Sequence, residues 1–169
     1  MARLLVLLER LNFAVGRSVA WLTVMMVLVT FAVVLLRRFD LGWIWLQESV
    51  TWMHAAVFML GGGYTLAREG HVRVDVFYSN VGDRGRAVVD LLGTVFFLTP
   101  FTLFLFWVSL DYVLAAWQIH EGSREAGGLP YPAVPLLKSL IPLTALLLLV
   151  QAVVMGLRNA MLLFRRPRP

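Results

Sequence analysis

Four stretches without a single charged residue, 18–36, 49–67, 91–110 and 139–157, follow one another at nearly even spacing along the chain, each 19 or 20 residues long. A helix rising about 1.5 Å per residue needs about 20 residues to cross about 30 Å of hydrocarbon. Water-soluble helices of this length carry a polar stripe, and these runs do not. The pattern predicts an all-α integral membrane protein: four transmembrane helices in one domain over residues 1–169.

The charges agree, because they collect almost entirely between the runs. The longest polar connections, 68–90 and 111–138, are too short for a soluble domain with its own core. Cysteine is absent, which removes disulfides, thiolate metal sites and cysteine nucleophiles together. A glycine-rich phosphate loop, a suggestive Ser-His-Asp order and paired His or acidic spacing for a metal are also missing. A non-enzymatic chain without cofactor or metal is expected.

Arginine placement sets the expected orientation, since Lys and Arg accumulate in cytoplasmic segments. An even number of spans puts both termini on one side. That side collects Arg3, Arg10, Arg17, Arg68, Arg73, Arg84, Arg86, Arg158, Arg165, Arg166 and Arg168, against Arg37, Arg38, Arg124 and Lys138 on the other. Both termini are therefore expected in the cytoplasm. The net charge of +5 follows from this bias and from attraction to anionic membrane lipid, with no need of a nucleic-acid partner. Arg3, Arg10 and Arg17 recur every seven residues, a step that drifts about 20° on a helix, and Leu4, Leu5, Leu8, Leu11 and Val15 fill much of the remaining surface. The first seventeen residues read either as an interfacial amphipathic helix or as a basic extension of the first span.

The second run is the most informative. Trp43 and Trp45 suit an interfacial belt, with Glu48 about one turn inside it. A carboxylate near the hydrocarbon edge calls for a partner, and Arg37 or Arg38 on the same side can supply one. A structural pair is the plainer reading of Glu48, a proton or ion relay the sharper one. His54 lies about 120° round the helix from Glu48 and is expected as a neutral histidine hydrogen-bonded inside the bundle. Gly61, Gly62 and Gly63 allow a neighbouring helix to pack on the main chain. Pro100 and Pro142, inside the third and fourth runs, read as packing features.

After the second run comes Arg68-Glu69-Gly70-His71-Val72-Arg73-Val74-Asp75, in which Gly70 stops the helix and the valines alternate like a short surface segment. Asp83 is expected to cap the helix that begins at Arg84. In the third connection Gly127-Gly128-Leu129-Pro130, Pro132 and Pro135 lead into the fourth span, forming a solvated connector or a docking surface for a soluble partner.

In order and spacing these residues resemble the small membrane subunit of tripartite ATP-independent periplasmic (TRAP) transporters, the DctQ type. The resemblance is carried by Arg38-Phe39 after the first span, Trp45 with Glu48 opening the second, the glycines leading into His71, Arg73 and Asp75, and Ile141-Pro142-Leu143 with Gln151 in the last. The turn after the first span departs from relatives, which often have Asn and Pro there; here it reads Asp40-Leu41-Gly42. The resemblance implies sodium-coupled uptake of an organic acid across a bacterial or archaeal inner membrane. A larger multi-span subunit then holds the transport sites, a soluble periplasmic protein binds substrate, and this chain belongs to the fixed scaffold. On that reading Arg38, Trp45, Glu48, Gly61, Gly62, Gly63, His71, Arg73, Asp75, Pro142 and Gln151 are subunit-interface or structural candidates. Two other classes compete. A haem or redox anchor needs axial histidines at matching depth, and only His54 lies within a span. A self-contained proton-coupled exporter needs a carboxylate deep in the bilayer, and Glu48 is close to its edge.

Overall fold

The structure, a computed structural model, describes residues 2–68 and 82–164. Among them the chain forms helices and no strand: α1 (Ala2–Arg38), α2 (Ile44–Ala67), α3 (Asp83–Gln118) and α4 (Ala133–Phe164). Each charge-free run lies inside one helix. The helices outlast the runs, so the third connection shrinks to residues 119–132. α4 packs against all three others, while α2 fits between α1 and α4. The core is accordingly concentrated on α4, where Ala145, Leu147, Ala152 and Val154 are buried beside Gln151.

By length and composition α1, α3 and α4 are apolar enough to cross a membrane. At 24 residues, about 36 Å, α2 is also long enough. Gln47, Glu48, His54 and three glycines dilute its apolar character. Residues 2–17 do not form a separate helix. They run without a break into the first span, so one 37-residue helix unites the two segments.

Local chemistry explains the joints. After α1 the N–H of Leu41 donates to the Leu36 carbonyl at 3.0 Å, with Asp40 at φ 58° between them. Aspartate visits this left-handed region more readily than most side chains, so Asp40 closes the helix where a glycine is the usual choice. α2 ends at Ala67 with Arg68 as its cap; Gly70, expected to stop the helix, lies outside the described residues. α3 begins one residue before the expected position, with Gly82 at the cap and Asp83 in the first turn. Its carboxylate still complements the positive helix end. Within α3, residues Thr94–Leu98 form a wide π turn, closed by the Thr99 N–H donating to the Thr94 carbonyl. Pro100 follows directly and lacks an N–H to donate, so the ladder widens just before the proline. The hydroxyls of Thr94 and Thr102 donate back to the carbonyls of Asp90 and Leu98.

Candidate functional site

Two polar clusters, at opposite ends of α2, tie the helices together. At the first, Glu48 in the opening turn of α2 accepts a hydrogen bond from Ser123 Oγ at 2.7 Å and another from the Leu129 N–H at 2.6 Å. Ser123 in turn accepts from the Glu125 N–H at 3.2 Å. A Cβ on Gly128 would stand 2.6 Å from Glu48 Oε2 and 2.4 Å from Ser123 Oγ, so the absent side chain at Gly128 is what lets the carboxylate reach the connection. Gly127, at φ 80°, supplies the left-handed turn just before it. Glu48 is therefore not the partner of Arg37 or Arg38. Arg37 donates to Gln47 Oε1 at 2.7 Å, and Arg38 is exposed at the end of α1. The arginines lose because the connection offers two donors aimed at the half-buried carboxylate.

The rest of the connection is pinned as well. Lys138 donates to Glu121 at 2.5 Å and sits over the Tyr112 ring at 3.9 Å. Tyr131 meets the Trp117 ring edge-on at 6.2 Å, and Trp117 Nε1 donates to Ser139 Oγ at 3.2 Å. Residues 119–132 thus form a folded cap resting on α2, α3 and α4. Trp43 and Trp45 stack at 6.2 Å on the exposed rim of the same end.

At the second cluster Asn12 of α1 is fully buried, donating to the Leu147 carbonyl at 3.3 Å and to Gln151 Oε1 at 3.1 Å. Its own Oδ1 has no hydrogen-bond partner. That oxygen faces the Cα of Gly63, where a Cβ would lie only 2.6 Å away. Only a glycine at position 63 leaves room for that oxygen against α2. One turn on, Gly16 accepts Tyr64 so closely that a Cβ would overlap it at 2.3 Å. Arg68 covers the Phe13 and Tyr64 rings at 5.0 and 5.7 Å, and Glu9 holds Arg158 through two bonds of 2.8 and 2.6 Å. Three helices are therefore joined by Asn12, Gly63 and Gln151.

The sequence candidates divide accordingly. Glu48, Gly63 and Gln151 are structural contacts. Gly62 makes ordinary contact with Leu148, whereas Gly61 faces open space. Trp45 and Arg38 are exposed, and Pro142 is half-buried within α4. His71, Arg73 and Asp75 lie outside the described residues. His54 departs from expectation: it is exposed on the outside of the bundle. It belongs to an outward stripe of α2, Gln47, Thr51, His54 and Phe58, with Phe58 79% exposed and Gly61 next in the series. The outward faces of α1 and α3 contrast with it, presenting Trp21, Leu28 and Phe31, and Phe97, Phe104 and Trp107. Sequence reading missed Asn12, Gly16 and Ser123. The only signal for Asn12 was a polar residue interrupting the leucines of the first segment.

Residues 26–161 match the family model of the DctQ component of tripartite ATP-independent periplasmic transporters. No curated protein and no solved structure matches the chain. The match spans most of the sequence, and the chain belongs to this family.

Proposed function

We propose that this small permease subunit is the fixed scaffold of its transporter, and that the outward stripe of α2 is the face held against the large membrane subunit. The transporter then takes up an organic acid with sodium, delivered by the periplasmic binding protein. The observation that carries the reading is the chemistry of the stripe. Thr51 and His54 gain nothing from hydrocarbon, where each unsatisfied polar group is costly, but they can bond to a neighbouring helix, as can the Gln47 NH2 group, whose oxygen already accepts from Arg37. Gly61 permits that helix to come close. The apolar faces of α1 and α3 suit lipid. On this reading α2 crosses the membrane as the fourth span, and its modest hydropathy reflects a protein environment on every side.

A photo-crosslinking residue placed at Phe58 in the complete transporter is expected to capture the large subunit, and the same residue at Phe104 is expected to capture lipid. Capture of the large subunit from Phe104 alone would assign the interface to α3 instead.

The arginine bias supports cytoplasmic termini. Cysteines introduced at Arg3 and Asp83 are expected to resist an impermeant reagent added to intact cells once the outer membrane is permeabilised, while one at Ala126 reacts. Labelling at Asp83 but not at Ala126 reverses the orientation.

A further inference from the structure

We propose that the outward face of the first three turns of α1 binds anionic phospholipid, with headgroup phosphates on Arg3 and Arg10 and acyl chains over Leu4, Leu7 and Leu11. Arg3 and Arg10 are both exposed and flank Val6 and Leu7 on one open face of the helix. Neither guanidinium has a carboxylate partner among the described residues. Glu9, the acidic residue next to Arg10, faces the bundle and is fully engaged by Arg158.

Seven residues separate the two arginines, about 10.5 Å along the axis with about 20° of drift. They therefore stand in one row, each able to take its own phosphate through the planar guanidinium fork. Beside that row runs a second one, Leu4, Leu7 and Leu11, exposed at 58%, 60% and 48%. A free phosphate would satisfy the arginines and leave the leucines wet, while a lipid covers both rows at once. The occupant is accordingly the molecule that carries phosphate and acyl chain together.

The test is native mass spectrometry and thermal unfolding of the full chain in detergent, titrated with cardiolipin, phosphatidylglycerol, phosphatidylcholine or inorganic phosphate. Cardiolipin and phosphatidylglycerol are expected to be retained and to raise the unfolding temperature; phosphatidylcholine and inorganic phosphate are not. The double variant Arg3→Gln, Arg10→Gln is expected to lose affinity for cardiolipin by about 30-fold, the factor that corresponds to about 1 kcal/mol for each basic residue at an anionic surface. Arg124→Gln, the same charge change on the third connection, is expected to lose none. Arg3→Lys, Arg10→Lys keeps the charge and most of the binding, which separates a lipid contact from a folding defect. Undiminished cardiolipin retention in the double glutamine variant overturns the proposal, as does an equal loss in Arg124→Gln or equal stabilisation by inorganic phosphate.

Discussion

Replacing Glu48 by Ala is expected to free the connection between α3 and α4, lowering the stability of the subunit by about 2 to 4 kcal/mol, since two hydrogen bonds to a charged group are lost, each contributing about 1.5 to 3 kcal/mol when buried and less for this half-buried carboxylate. Both carboxylate oxygens are in use, one by Ser123 Oγ and one by the Leu129 N–H. Glu48→Gln is the more informative variant. Its amide keeps one acceptor but turns an NH2 toward a donor, so one bond survives and about half of the loss is expected. Ser123→Ala, which removes a single donor, should resemble it. Thermal unfolding of the purified subunit and proteolytic cutting within residues 119–132 report the effect. If Glu48→Gln unfolds like the parent and instead loses only ion coupling in transport, the carboxylate is a relay and not a fastening.

Gly63→Val should be equally damaging at the other end of α2. Its first added carbon would already stand 2.6 Å from Asn12 Oδ1 and 3.3 Å from Leu147 Cβ. Asn12 is fully buried and cannot retreat without giving up its bonds to Leu147 and Gln151. Overpacking of this kind costs about 1 to 3 kcal/mol, and the broken hydrogen bonds add to it. The milder Gly63→Ala provides the diagnostic. Combined with Asn12→Ala it should cost less than the two single variants added together, because the second change vacates the space the first invades. Strict additivity in chemical or thermal unfolding would show that the two residues do not share a contact.

The fold was legible where the signal was local. Charge-free length identified the helices, and Trp45 with Glu48 marked the end of α2 correctly because both lie in one short window. Gln151 and Gly63 were singled out as well, yet their common partner Asn12 was not. Whether Asn12 points at α4 or at lipid depends on the rotation of α1 about its axis, which no periodicity in α1 alone determines. Nor does the sequence near Glu48 indicate its partners. Arg37 and Arg38 are close in the chain and opposite in charge, but Ser123 and Leu129, 75 and 81 residues away, bring donors to the carboxylate through the folded connection. For the same reason the pair Glu9 and Arg158, 149 residues apart, left no trace in the pattern. A polar side chain in a membrane helix ordinarily turns inward, which is why the sequence alone predicts an interior His54. Within a single subunit it turns outward, and under the interface proposed for α2 the large subunit is what covers it.

The scaffold reading is tested most directly by transport in proteoliposomes. This chain alone, the large subunit alone and the two together are each supplied with the soluble binding protein, substrate and a sodium gradient. Uptake is expected only when both membrane subunits are present, because the buried polar side chains of the described spans, among them Asn12, Thr102, Ser109 and Thr144, are engaged by backbone carbonyls or by one another and do not form an open set of ligands for solute and ion. Uptake by this chain alone, or full uptake by the large subunit without it, would contradict the account.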